Sequence, residues 1–198
     1  QAAQPPTQLA EKLAAGQFVI AAEMDPPRGL SMHKLLAGAS LLSDAGADVI
    51  DVADSPMARM RMSPWAVCSL IQKQVGVETV LHFPTRGRNL LRVQGDLLAA
   101  HTLGIRNVFV VMGDPTAIGD YPEAMDNYDL APTGLIQLIK EQLNAGRDHA
   151  DASRDRRHRR HRPGAGHRRD ADTHRVPHLQ QARPRDRVQP RPRLTQLA

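Results

Sequence analysis

Short apolar runs alternate with amphipathic stretches along the first 148 residues. FVIAAEM (18–24), VIDVAD (49–54), TVLHF (79–83) and NVFVVM (107–112) are dominated by Val, Ile, Phe, Ala and Met. Runs of this length predict strands buried on both faces of a sheet. Each run is followed by helical spacing. Ser31 opens the first helix, Leu35, Leu36, Ala39 and Leu42 form its apolar stripe, and Gly46 closes it. Ser63-Pro64 reads as an N-cap followed by proline at the first helical position, and Gly76 ends that helix. A third helix is predicted from Asn89 to Leu103, stopping at Gly104, and a fourth from Thr133 to Leu143, with Asn144 and Gly146 as stop signals.

Strand starts recur about every 30 residues, the size of one βα unit. Alternating β and α predicts a parallel sheet covered by helices, an α/β fold. Two architectures meet that description, the (βα)8 TIM barrel and the open doubly wound sheet. No GxGxxG follows the first strand and no P-loop motif occurs, which weighs against the dinucleotide-binding sheet.

In either architecture, ligands sit at the carboxyl ends of the strands. The first strand delivers Glu23-Met24-Asp25, the second Asp54-Ser55-Pro56, the third His82-Phe83 and the fourth Met112-Gly113-Asp114-Pro115. Carboxylates and an imidazole converging on one rim suit general acid/base work or a polar ligand. Asp25, Asp54 and Asp114 also fit ordinary turn chemistry. Glu23 stands apart, because a carboxylate amid apolar strand residues is costly without a task. Trp65 and Cys68 read as packing, the set Met57, Met60 and Met62 as core or loop packing, and Arg86 and Arg88 as a solvated loop.

Charge divides the chain. Residues 1–148 hold 12 Lys/Arg against 16 Asp/Glu, whereas residues 149–198 hold 14 Arg against 5 Asp. The second stretch has no Lys, Glu, Ile, Phe, Met, Tyr, Trp, Asn or Cys. Its strongly apolar residues, Val176, Leu179, Val188, Leu194 and Leu197, follow no period, so a disordered basic tail is expected. Arg-rich charge suits a polyanion, but the tail lacks aromatics for base stacking, so nucleic acid is disfavoured as a partner. His158, His161 and His167 are too irregularly spaced to favour a metal site. The composition matches GC-rich DNA translated out of frame, and that origin is the expectation here. The single cysteine, Cys68, excludes an internal disulfide. With no secretory or membrane-spanning run, the cytoplasm is the expected compartment and no membrane partner is expected.

Four stretches carry a family resemblance: FVIAAEMDPPRG, DVIDVADSPMARMRMSPWAVCSLIQ, VETVLHFPTRGRNLLRVQGDLLAAHTLGIRNVFVVMGDP and GDYPEAMDNYDLAPTGLIQLIKEQLNAG. In this order, from about residue 17 to 146, the chain resembles the flavin-dependent methylenetetrahydrofolate reductases. The likeness is greatest to the bacterial branch in which the reductase can be fused to a homocysteine methyltransferase. The resemblance implies an oxidoreductase of one-carbon metabolism and methionine biosynthesis. It would use FAD, NADH or NADPH as reductant, and 5,10-methylenetetrahydrofolate as substrate. By that likeness Glu23 is the general acid, and Asp114 the carboxylate beside the flavin and the pterin. His82, Met112, Gly113, Tyr128 and Asp129 line the flavin. Ala53 and Asp54 stand where many members have Thr-Tyr, a departure that alters those contacts.

The resemblance divides the chain into an N-terminal segment (1–16), a partial reductase barrel of about four βα units (17–148) and the basic tail (149–198). A barrel of that length is expected to bind FAD weakly or not at all and to be inactive alone. Two alternatives remain at this stage, a nucleic-acid-binding fusion through the tail and a half-barrel that works only as a dimer or other homo-oligomer.

Overall fold

The computed structural model of the chain describes residues 6–149. The basic tail, apart from His149, therefore lies outside the described residues, as does the expectation of its disorder.

Helix α1 (Gln8–Ala14) comes first, capped by the Thr7 side chain, which accepts from Ala10 N. Four strand–helix pairs follow: β1 (Ala21–Met24), α2 (His33–Asp44), β2 (Val49–Val52), α3 (Pro64–Gln74), β3 (Glu78–Pro84), α4 (Leu90–Thr102), β4 (Asn107–Val111) and α5 (Pro132–Gln137). The last helix continues as a π-helical stretch, Leu138–Leu143. All strand pairs are parallel, in the order β1-β2-β3-β4. A doubly wound sheet would reverse its strand order at a switch point. None occurs among the described residues, which form consecutive units of the barrel architecture.

Side chains alternate across a strand, so each strand has a helix-facing and an inner set. Ile50, Val52, Leu81 and Phe83 face the helices and are fully buried with Val67, Cys68 and Ile71 of α3. Trp65 meets Phe83 edge-on at 5.5 Å and donates its indole N–H to Asp96 O. The packing roles of Trp65 and Cys68 hold.

The inner face differs from the expectation of strands buried on both sides. Glu23 on β1 is exposed, and Phe109 on β4 is 55% exposed. Both strands are sheet edges among the described residues, so no further strand covers their inner side chains. β1 is also shorter than the run 18–24. Phe18 lies 88% exposed outside the ladder, and Ile20 N is taken by the Asp48 carboxylate instead. α2 starts after Ser31, at His33, with Met32 at the N-cap position. Ser63 occupies the cap position of α3 without a side-chain cap bond, leaving Pro64 to set the first turn.

α1 seals the amino end of the sheet. Glu78 accepts from Gln8 N and Leu9 N at 2.8 and 3.1 Å, and Lys12 pairs with Asp48. The opposite, carboxyl end is left to the loops.

Burial pushes the Cys68 thiol up to about 12, against an ordinary 9.0. Two consequences follow. The native thiol resists Ellman's reagent at pH 8 and reacts on unfolding. Above pH 9 the unfolded thiol ionises while the folded one keeps its proton, so the unfolded state binds fewer protons and stability falls as pH rises from about 9 to about 12. Alkaline urea titrations of wild type and Cys68→Ala check this. Equal slopes of stability against pH in both would contradict it.

Candidate active site at the strand ends

Register places the inner side chains in rows. Glu23 pairs with Asp51, and Asp51 with Val80. One step toward the carboxyl ends, His82 pairs with Phe109. Continuing the β2–β3 register by one residue sets Ala53, which is buried, beside His82. Glu23, Asp51, Ala53, His82 and Phe109 therefore share one face at the ligand-binding end of the sheet.

His82 is mostly buried against Phe109, with ring centroids 5.2 Å apart. Its Nε2 is a buried polar atom with no hydrogen-bond partner among the described residues, and it lies 4.0 Å from Asp51 Oδ2. Buried polar groups are rarely left so, and such an atom marks a place for a ligand or water. Asp51 is half-buried. Burial is the largest influence on its carboxyl and raises its pKa above the ordinary 3.8; His82 lowers it and Glu23 raises it.

The sequence reading passed over Asp51. A carboxylate inside VIDVAD is as conspicuous as the one inside FVIAAEM, but it lies within the run rather than at its carboxyl end. Glu23 needs the opposite correction. It is on the inner face as expected, but it is exposed rather than enclosed by apolar neighbours among the described residues.

Two loops meet above this face. The loop after β2 crosses to the loop after β4. Asp114 Oδ2 accepts from Met57 N at 2.7 Å, Asp120 Oδ2 accepts from Met60 N at 3.0 Å, and Ala58 O accepts from Asp120 N at 3.3 Å. The crossing holds Ser55, Met57 and Ala58 at φ of 49°, 57° and 52°, a left-handed region that is strained for such residues. Asp114 is thus placed at the rim, with its carboxylate fixing the β2 loop and its carbonyl held by the Arg86 guanidinium. Met57 and Met60 are exposed in this loop, while Met62 packs on the core.

Gly113 sits at φ +90°, where a Cβ would lie 3.0 Å from Pro84 Cβ and 3.1 Å from Arg86 Cβ. Met112 and Tyr128 present exposed apolar surface nearby in sequence, on the rim and in the loop after β4. Asp129 accepts from Leu90 N at 2.7 Å and, with the Asn89 side chain on Arg92 N, caps α4.

Asp54 turns away from the inner row. Its carboxylate accepts from Arg88 at 2.8 Å, and Arg88 also reaches Asp96 and Pro84 O while stacking on Trp65 and Phe83. Arg88 is therefore a largely buried hub rather than the solvated loop residue expected. Among the described residues no cluster of three metal-ligating side chains occurs, and no helix is long and apolar enough to cross a membrane.

Residues 8–151 match the sequence model of the methylenetetrahydrofolate reductase family. The chain belongs to that family. Its members are oxidoreductases acting on folates in one-carbon metabolism, and this chain shares their α/β barrel architecture. The match spans α1 through the end of α5 and includes every candidate residue above.

Proposed function

We propose that this chain provides the strand-end groups for flavin-dependent reduction of 5,10-methylenetetrahydrofolate to 5-methyltetrahydrofolate, with NADH or NADPH as reductant, in the cytoplasm. The observation that carries this reading is the inner row Glu23–Asp51–His82, with an unpartnered Nε2 beside exposed aromatic and thioether surface.

The residues present fit FAD. Phe109, Met112 and Tyr128 offer apolar area for a planar ring, His82 Nε2 offers a polar contact, and Gly113 keeps the β4 loop free of a side chain at the rim. Asp114 lies beside Gly113. Asp129, Ala53 and Asp54 complete the proposed lining, with Asp54 acting through its pair with Arg88. When bound, FAD supplies hydride chemistry.

The chain's own part is proton handling. Glu23, protonated, delivers its proton to the bridging nitrogen of the folate. The C–N bond of the five-membered ring then opens to an iminium carbon able to accept hydride. Glu23 is left as a carboxylate and must be reprotonated for the next turn. The barrel unit is taken as 17–148, with residues 1–16 sealing its base through α1.

The test is an FAD titration of the 198-residue chain by fluorescence quenching, with sedimentation followed at flavin wavelengths. Weak but saturable binding is expected, whether the flavin travels with a monomer or with a homo-oligomer. Gly113→Val should weaken it at least tenfold, or about 1.4 kcal/mol, because the added side chain meets Pro84 and Arg86 in a left-handed backbone. No saturable binding, or equal binding by the variant, would count against the reading.

A further inference from the structure

Resting on that reading of Glu23, we infer that Asp51 is the positioning residue for the proton Glu23 delivers, because it shares Glu23's face in register and faces His82 Nε2 at 4.0 Å.

Registered partners on adjacent strands lie about 4.8 Å apart, so the two side chains leave neighbouring positions on one face, and the Glu23 charge reaches Asp51. Glu23 cannot draw on apolar burial, since its side chain is exposed. Asp51 is the more enclosed of the two and stands between Glu23 and the unpartnered His82 nitrogen. This is a donor poised to refill an acid. After Glu23 gives its proton to the folate nitrogen, Asp51–COOH passes a proton to the Glu23 carboxylate. Asp51 then regains one from solvent. The transfers move protons only, with no change in oxidation state.

The groups that act on Asp51 are few. Glu23 on β1 raises its pKa, His82 on β3 lowers it, and the field of Asp51 in turn reaches Cys68 on α3. Val80 and Asn107, aligned with it on β3 and β4, carry no charge.

The first arm of the test uses the flavin-free chain. The ¹³C carboxyl resonance of Asp51 is followed from acid to neutral pH. The midpoint is expected above 3.8, to fall in Glu23→Gln and to rise in His82→Gln. An Asp51 midpoint indifferent to Glu23→Gln overturns the inference whatever becomes of the proposed function.

The second arm uses a flavin-loaded full-length reductase that contains these residues. Asp51→Asn should slow folate reduction about tenfold and alter its pH profile. Asp51→Glu should restore most of the loss, which a purely structural defect would not allow. If Glu23→Gln abolishes folate reduction but Asp51→Asn leaves rate and profile intact, the inference fails and the proposed function stands. If Glu23→Gln is itself without effect, the proposed function fails. Circular dichroism of each variant establishes that the fold is retained.

Discussion

In a flavin-loaded full-length reductase that contains these residues, Glu23→Gln is expected to lower methylenetetrahydrofolate reduction by about 10²–10⁴-fold, the usual contribution of a positioned general acid. Glutamine keeps the shape and the hydrogen-bonding reach of glutamate but has no proton of suitable acidity to give. Because Glu23 is exposed on the edge strand, the change leaves no cavity and no unpaired buried charge. Folding stability should therefore move by less than about 0.5 kcal/mol. NAD(P)H oxidation by an artificial acceptor should continue within about twofold, since that reaction needs no proton on the folate nitrogen. Paired assays of the two activities distinguish this from a general loss of flavin. A variant that lost both equally would place Glu23 in binding rather than in acid chemistry.

The second large effect is structural. Arg88→Met should lower the unfolding free energy by about 3 kcal/mol, in the range for breaking a buried ion pair. Arg88 is 16% exposed and bonds Asp54, Asp96 and Pro84 O at once. Removing it leaves Asp54, at 12% exposure, with only the Ser55 hydroxyl, and Asp96, at 13% exposure, with Arg92. Urea titration measures the loss. A companion Arg88→Met/Asp54→Asn variant should recover part of it, because a neutral amide costs less to bury unpaired than a carboxylate. A loss below about 0.5 kcal/mol would put the network among exposed pairs of little worth.

Much of this architecture can be read in the sequence, for reasons that particular residues make plain. β3 and α4 fall close to where their patterns put them. TVLHF alternates strictly between core and inner face, and Asn89 and Gly104 punctuate the helix at both ends. α1 was not foreseen, because QLAEKLA is barely two turns long and is tied down by Glu78 and Asp48, which are distant in sequence. β1 starts at Ala21 rather than Phe18 because Phe18 is 88% exposed and Ile20 N is held by the Asp48 carboxylate rather than by a strand.

The candidate site was half legible. Register, which no single strand reveals, joins Glu23 to Asp51 and His82 to Phe109. Burial of Arg88 was hidden for the same reason, since its partner Asp54 lies 34 residues away. The sequence pattern places Asp114 on the rim but does not show its hold on Met57 N, because the crossing of two non-adjacent loops has no local signature.

The central claim is that FAD lies on the inner face at the carboxyl ends of the strands. The chain has seven methionines. Met112 follows β4 at the carboxyl ends and is 42% exposed, while Met24 and Met32 pack on the core. A ¹³C-methyl methionine spectrum recorded through an FAD titration therefore reports the position of binding directly. The account predicts a saturable shift of the Met112 methyl with Met24 and Met32 unmoved. No shift up to about 1 mM FAD, where even a binding energy near 4 kcal/mol would show, or a shift confined to the Met24 and Met32 methyls, would contradict it.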